Sequence, residues 1–381
     1  MPTVEHQGAA ISYRLDGSQS APVLLLANSL GTTTAVWDDQ AAALAQRFCV
    51  VRYDLRGHGD SAATPGPYTM ELLGRDALAV LDALGVRSAS VGGLSIGGTV
   101  AMWVASQAPD RVDRLAVCCS APTFGPPTQW AERAAHVRAH GVVSLLDALM
   151  VRWFTPGLRD RAGVEGRVRA MLESVDPEGY AGCCEALATC DITAELGAIR
   201  APTLVLAGAA DPVATPGVAF DLAARIGGSS LVVLADAAHL GNIERPGTVT
   251  DTLLGHLWGS PRERGDEVRR RVLGDAHVDA AAATTTPETA GFQEMVARMA
   301  WGEIWTRPGL EPRTRSCITV AMLIALGRFE ELAMHLRGAE RHGVTRAELV
   351  EVLLQSAIYC GFPAANRAVA VAQEVFGAHG A

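Results

Sequence analysis

The stretch Gly93-Leu94-Ser95-Ile96-Gly97, followed by Gly98, restricts the possible folds of this chain more than any other. Residues 88–92 before it are short and apolar enough for a buried strand, and residues 99–105 after it can form a packed helix. A G-x-S-x-G segment between a strand and a helix is a nucleophile elbow, a sharp turn that lifts the serine oxygen clear of the sheet edge. Glycines flank the serine because side chains there would clash between the strand and the helix packed closely on it.

Such an elbow needs companion strands, and the chain supplies them. Val23-Leu24-Leu25-Leu26-Ala27 is the continuous apolar run that a central parallel strand requires, and it ends in the loop Asn28-Ser29-Leu30-Gly31. Residues 49–53 form the next strand and lead into Asp54-Leu55-Arg56-Gly57-His58-Gly59, which reads as a structural turn behind the site. Residues 4–15 have the pattern of a hairpin, and further strands are predicted at 115–119, 203–207 and 231–234. Leu72, Leu73, Ala77, Val80, Leu81 and Leu84 recur at helical spacing, with Gly85 as the stop, and a last helix falls near 249–257. Between about 124 and 195 the pattern is helical only and includes Trp130, Trp153 and Phe154. Alternating strands and helices with one helical insertion predict a doubly wound α/β sheet carrying a cap.

After Trp258 the text changes. Residues 262–271 are a charged run, 280–287 are low in complexity, and from there on only helical patterns remain, such as Leu332, Leu336 and Ala339, then Leu349, Val352, Leu353, Ser356 and Ala357. A length of 381 residues exceeds one ordinary domain. The expected division is an α/β domain over 1–259, with its cap at about 124–195, and a separate all-α domain over 260–381, the boundary lying near Ser260.

Composition narrows the partners. A net charge of −9 argues against nucleic acid or an anionic membrane, since both are polyanions. The first residues lack a basic segment followed by an apolar run, and no apolar stretch reaches membrane-spanning length, so a cytoplasmic location is expected. Eight cysteines, scattered or adjacent and without a C-x-x-C spacing, read as reduced core thiols rather than a disulfide framework or a zinc site. No metal is expected.

A serine nucleophile needs a base within hydrogen-bond reach and an acid to orient that base. In the order Ser, acid, His, both partners should sit on loops after late strands. Asp211 follows the strand at 203–207, and His239 follows the strand at 231–234. Either alone has a bland reading, a structural Asp-Pro turn or a lone histidine; together and in order they form a predicted triad with Ser95. The oxyanion that attack would create needs two donors, for which the backbone N–H groups of Ile96 and Leu30 are the candidates. Serine at position 95, where aspartate would suit epoxide or carbon–halogen chemistry, favours acyl transfer.

Asn28-Ser29-Leu30-Gly31, Gly93-Leu94-Ser95-Ile96-Gly97-Gly98, Asp211-Pro212-Val213-Ala214 and Ala238-His239-Leu240-Gly241-Asn242-Ile243-Glu244 resemble the 3-oxoadipate enol-lactone hydrolases, a branch of the α/β-hydrolases, over about residues 2–257. The segment 127–133 looks like that family's cap start. The resemblance implies that Arg133 binds the substrate's free carboxylate with Trp130 beside it; the alternative is a solvated arginine on a helix face.

The C-terminal part carries Trp301-Gly302-Glu303-Ile304-Trp305-Thr306-Arg307-Pro308-Gly309-Leu310, then Arg313-Thr314-Arg315, Glu330-Glu331-Leu332-Ala333-Met334-His335-Leu336-Arg337 and Ile358-Tyr359-Cys360-Gly361-Phe362-Pro363-Ala364-Ala365-Asn366. These resemble the 4-carboxymuconolactone decarboxylases, small all-helical (AhpD-like) proteins, over about residues 264–376. Redox relatives of that fold carry C-x-x-C one turn before the matched histidine, where this chain has Arg328 and Glu331. Glu331 and His335 stand at i and i+4, so their side chains are expected to meet, the carboxylate raising the basicity of the imidazole. The resemblance implies loss of CO2 into a conjugated lactone that serves as its own electron sink, with no cofactor, and makes Arg313 and Arg315 candidate carboxylate clamps. The bland readings are an ordinary helix pair for Glu331–His335 and a structural salt bridge for one of the arginines.

The two resemblances explain each other, since the decarboxylase family's product is the lactone the hydrolase family opens. They imply a bifunctional enzyme of protocatechuate catabolism (the β-ketoadipate pathway), acting on small-molecule lactones and forming a homo-oligomer through its C-terminal domain. The rival is another esterase or carbon–carbon bond hydrolase whose helical domain only drives oligomerisation.

Overall fold

A computed structural model describes residues 1–159, 161, 163–259, 261–307 and 309–377; Ser260, the expected boundary, and Pro308 lie outside these. The chain divides into two compact units, Met1–Trp258 and Gly259–Ala381.

The first unit is built on eight strands: β1 (Thr3–His6), β2 (Ala9–Asp16), β3 (Val23–Ala27), β4 (Cys49–Tyr53), β5 (Ala89–Leu94), β6 (Val112–Cys118), β7 (Thr203–Gly208) and β8 (Ser230–Leu234). Their spatial order is β1-β2-β4-β3-β5-β6-β7-β8. The hairpin β1–β2 joins β4 antiparallel, and every later pairing is parallel. The run predicted at 23–27 is central because Leu24, Leu25 and Leu26 are buried and pair with β4 on one side and β5 on the other. The chain steps from β3 outward to β4, then returns across β3 to β5. That reversal makes the carboxyl ends of β3 and β5 a topological switch point, where an open α/β sheet leaves a crevice.

The helices are α1 (Asp38–Leu44), α2 (Met70–Ala83), α3 (Ile96–Gln107), the cap helices α4 (Pro127–His140), α5 (Leu146–Trp153), α6 (Pro156–Arg159), α7 (Val164–Glu173) and α8 (Pro177–Thr189), then α9 (Pro216–Arg225), α10 (Gly241–Glu244) and α11 (Pro246–Leu257). The predicted insertion at about 124–195 is therefore helical, apart from an isolated bridge between His58 and Val175. Helix α2 starts where the Thr69 hydroxyl accepts the Leu72 N–H and ends before Gly85, whose φ of +66° suits a residue without a Cβ. Helix α8 starts where Asp176 accepts the N–H groups of Glu178 and Gly179. This brings Gly179 against Gly57 so closely that a Cβ on Gly57 would lie 2.3 Å from the Gly179 Cα. The cap is thus seated on the turn at 54–59.

The second unit holds α12 (Pro261–Leu273), α13 (Asp275–Ala283), α14 (Pro287–Met295), a π-helical segment Val296–Ile304, α15 (Pro312–Ala325), α16 (Phe329–Arg341), α17 (Arg346–Cys360) and α18 (Phe362–Gly377). The charged run at 262–271 is helical and its charges pair at i,i+4, Arg262 with Asp266 at 2.7 Å and Arg271 with Glu267 at 2.9 Å. The same helix buries Gly265, Val272 and Leu273. Val320, Ile324, Leu332, Leu336, Leu349, Leu353 and Val371 form the core of α15–α18. The low-complexity run is absorbed into α13 and the turn before α14.

Candidate active sites

Ser95 follows directly on β5 and precedes α3, with φ 57° and ψ −122°. An L-residue is strained in that region, and surrounding structure holds it there: the Ser95 N–H donates to the Cys118 carbonyl, and the Ser95 carbonyl accepts the Ser120 hydroxyl at 2.7 Å. Glycine is required at 97, where a Cβ would lie 2.5 Å from the Asn28 carbonyl oxygen.

The loops after β7 and β8 bring Asp211 and His239 to the same sheet edge. His239 Nε2 lies 2.9 Å from Ser95 Oγ, and its Nδ1 lies 2.9 Å from Asp211 Oδ2. The Asp211 carboxylate also accepts the N–H groups of Val213 (2.7 Å) and Ala214 (3.1 Å), which fixes its orientation. Ser95, Asp211 and His239 are all buried. In this arrangement the imidazole can take a proton from the serine while the carboxylate holds the ring and balances its developing charge. Ile96 is the first residue of α3, so its N–H has no intrahelical acceptor, and Leu30 borders the same cavity from the loop after β3.

That cavity is bordered by Leu30, Ser95, Trp130, Arg133, Arg152, Tyr180 and His239 among others. Arg133 and Trp130, predicted from the cap start, do line it, with the Arg133 guanidinium 5.1 Å above the Trp130 ring. Sequence reasoning missed Arg152 and Tyr180. A lone cation within the apolar run Met150-Val151-Arg152-Trp153-Phe154 was the available signal.

In the second unit His335, on α16, is half-buried against the rings of Trp301 (6.2 Å between centroids) and Trp305 (6.4 Å). Burial, helped by His277 and opposed by Glu331, takes its pKa down to about 4. The expected outcome for the pair was a more basic imidazole; burial outweighs the carboxylate. Glu331 is exposed and, among the described residues, makes no hydrogen bond or ion pair with His335. Arg313 is exposed and ion-paired with Glu348, the residue that caps α17, so the salt-bridge reading fits it better than the clamp. Arg315 donates to the Arg307 carbonyl at 2.7 Å, and its buried Nε has no partner among the described residues. His342 lies near Trp305 (6.2 Å), with its Nδ1 3.0 Å from the Ser316 hydroxyl. Among the described residues no group of three or more His, Cys, Asp or Glu side chains is arranged to hold a metal, and no helix is long and apolar enough to cross a membrane.

The eight-stranded sheet, its elbow serine and its helical cap define an α/β-hydrolase, followed in the same chain by an all-helical unit. The α/β-hydrolase fold family matches residues 22–246, and the carboxymuconolactone decarboxylase family matches residues 290–374. The chain is 38% identical over 245 residues to 3-oxoadipate enol-lactonase 2 of Acinetobacter baylyi, covering 64% of this chain and 91% of that protein. It is 47% identical over 114 residues to 4-carboxymuconolactone decarboxylase of the same organism, covering 30% of this chain and 85% of that protein. The crystal structure of the enol-lactonase from Burkholderia xenovorans LB400 superposes with a TM-score of 0.66 at 40% identity, covering 68% of this chain and 100% of that one. The chain therefore belongs to the α/β-hydrolase family and, through its C-terminal unit, to the carboxymuconolactone decarboxylase family, the two fused in one polypeptide.

Proposed function

We propose that this chain is a bifunctional enzyme that decarboxylates 4-carboxymuconolactone to 3-oxoadipate enol-lactone and hydrolyses that lactone to 3-oxoadipate. The observation that carries the reading is the fusion itself: the two named relatives match separate units, and the product of one activity is the substrate of the other. The 2.9 Å contacts along Ser95–His239–Asp211, at a cavity lined by two guanidinium groups, support the hydrolytic half.

In that half Ser95 Oγ attacks the lactone carbonyl as His239 takes its proton, and the N–H groups of Leu30 and Ile96 stabilise the oxyanion. The ring oxygen leaves with the proton from His239 as an enol, which relaxes to the ketone. Water, activated by the same imidazole, then cleaves the acyl-enzyme. In the helical unit, CO2 departs and its bonding electrons pass into the conjugated lactone; the resulting dienolate is protonated on carbon by one nitrogen of the His335 ring while the other nitrogen takes a proton from water, so the ring ends neutral and hydroxide is released to solvent. The substrate is its own electron sink, so we assign no cofactor. His335, held neutral between burial and its tryptophan neighbours, is the proton-transfer group of this reading, Arg315 a carboxylate clamp, and Glu331 and Arg313 lesser contributors.

We further propose assembly into a homo-oligomer through the second unit. Ile318 and Met322 on α15 with Leu326 directly after it, and Val350, Leu354 and Ile358 on α17, form exposed apolar stripes at i, i+4 and i+8, a pattern suited to covering by a second copy.

The test is to supply 4-carboxymuconolactone to the wild type and to Ser95→Ala. The wild type should form 3-oxoadipate, and the variant should accumulate enol-lactone. Continued 3-oxoadipate formation by the variant, above the spontaneous rate, would overturn the assignment of Ser95. His335→Ala should open supplied enol-lactone while failing to decarboxylate.

A further inference from the structure

We propose that Glu244 is a positioning residue of the hydrolytic site: its carboxylate ties the loop that carries His239 to Thr155 of the cap, so that the imidazole is aligned on Ser95 only while the cap is seated. This deepens, and rests on, the reading of the Ser95 site as a lactone hydrolase.

The sheet does not fix the three members of the triad equally well. Ser95 leaves the inner strand β5 through the elbow, and the Val213 and Ala214 N–H groups hold Asp211 from its own loop. His239 follows β8, the edge strand, which pairs with β7 alone. The pairing of β8 ends at Leu234. Two further bonds then join its loop to the loop of Asp211: the Ala209 N–H donates to the Leu234 carbonyl and the Ala210 N–H to the Ala237 carbonyl, both at 2.9 Å.

From Ala238 on, the backbone donors that flank His239 turn toward the cap. The Leu240 N–H donates directly to the Trp153 carbonyl at 3.0 Å. The Ala238 N–H donates to Oε2 of Glu244. The other carboxylate oxygen, Oε1, accepts the Thr155 N–H at 2.9 Å and the Thr155 hydroxyl at 2.6 Å. Residues on both sides of His239 are thus bonded to the cap stretch 153–155, one directly and one through Glu244. That stretch adjoins the substrate cavity, which Arg152 and Trp153 line.

Glu244 serves as a fixed post because its own short helix, α10, is anchored elsewhere. The Asn242 amide donates to the Val36 carbonyl at 2.7 Å, and the Gln40 amide donates to the Asn242 carbonyl at 2.9 Å. The Glu244 side chain is buried, so a bond lost there is not replaced by one to bulk water. Three donors converge on its two oxygens, a pattern that suits an acceptor-only carboxylate. An amide in its place must turn its NH2 toward the Ala238 N–H or toward the Thr155 donors, and either choice breaks the tie on one side. Proton transfer from Ser95 depends on the 2.9 Å contact with His239. A small displacement of that loop therefore slows the chemical step more than it weakens substrate binding.

The experiment measures kcat and KM of the full chain for 3-oxoadipate enol-lactone in the wild type, Glu244→Gln, Thr155→Val and the double variant. Glu244→Gln should lower kcat by about 10- to 100-fold and change KM by less than about 3-fold. Thr155→Val, which removes one of the three donors, should lower kcat by roughly 3- to 10-fold, and Thr155→Ser should recover most of that loss. Because the two side chains are links of one tie, the double variant should be no slower than Glu244→Gln alone. Urea denaturation at the assay temperature establishes that each variant is folded, which separates a slower site from a smaller folded fraction. If Glu244→Gln does not fold, Thr155→Val and Thr155→Ser read the same tie. A Glu244→Gln variant with the wild-type kcat, or losses that multiply in the double variant, overturns this inference alone. A wild type that opens no enol-lactone yet hydrolyses 4-nitrophenyl acetate overturns the lactone reading, and the ester then tests the same variants. A wild type inactive on both overturns the hydrolase reading and this inference with it.

Discussion

The Nε2 of His58 accepts the Gly31 N–H at 3.1 Å, which ties the turn at 54–59 to the loop that carries Leu30. The Nδ1 of the same ring donates to the Arg56 carbonyl at 3.1 Å, so the imidazole is neutral and fully engaged. Burial holds it in that form, with its pKa down to about 4. A turn that read as merely structural therefore positions one of the two proposed oxyanion donors.

Replacing His58 by alanine leaves the Gly31 N–H buried without an acceptor. Hydrolytic kcat should fall by about 10- to 100-fold with little change in KM, and stability should drop by roughly 1–3 kcal/mol. Steady-state kinetics and urea denaturation check this. Unchanged kcat in a folded variant would detach His58 from the oxyanion loop.

His335 makes the helical unit sensitive to acid. Its folded pKa of about 4 lies below the ordinary histidine value of 6.5. Between those values the unfolded chain binds the proton and the folded chain does not, so stability is lost as pH falls from 6.5 toward 4. The full effect is about 3 kcal/mol. His335→Gln should lose less stability than the wild type between pH 7 and pH 4.5, as measured by chemical denaturation at each pH. Equal losses would mean that the ring is not held neutral. Decarboxylation that needs the neutral ring should decline only near pH 4.

The glycines of the elbow differ in kind from those on helix surfaces. A Cβ at Gly97 meets backbone oxygens of Asn28 and Ala27 at 2.5 and 2.6 Å, and backbone cannot yield cheaply. Gly97→Ala should therefore cost at least about 2 kcal/mol and lower hydrolysis by displacing Ser95. Gly255→Ala, on α11 with nothing within 4 Å of the new atom, should instead be neutral or stabilise by roughly 0.5–1 kcal/mol. Thermal melts and enol-lactone assays of the two variants side by side would reveal a reversal.

Exposed Met322 and Leu354 sit at the centres of the apolar stripes on α15 and α17. Sedimentation of the wild type should give an oligomer, and Met322→Lys with Leu354→Lys should shift it to smaller species. A monomeric wild type at micromolar concentration would remove the proposed assembly.

Much of the first unit was legible because its signals are local. The run at 23–27 can only be a doubly covered strand, and the elbow glycines announce a close approach whatever surrounds them. Asp211 and His239 were found because parallel strands present the loops at their carboxyl ends to one edge. The second unit was harder. Helical spacing put Glu331 and His335 on one face, yet spacing says nothing about what covers that face. Trp301 and Trp305, from a segment thirty or more residues earlier, pack against the ring, and burial reverses the expected shift. Arg313 and Arg315 likewise differ only in their neighbours, Glu348 for one and the Arg307 carbonyl for the other.

By itself the sequence determined the order of strands and helices, the turn at Ser95 and the types of residue in the triad, since backbone sterics and hydrophobic period act over a few residues. Only the tertiary structure decided which charges meet: that His239 reaches Ser95 across 144 positions, that Arg133 and Arg152 share a cavity without an acid, and that His335 is neutral. Electrostatic energy depends on distance and burial in space, and neither can be read from separation along the chain.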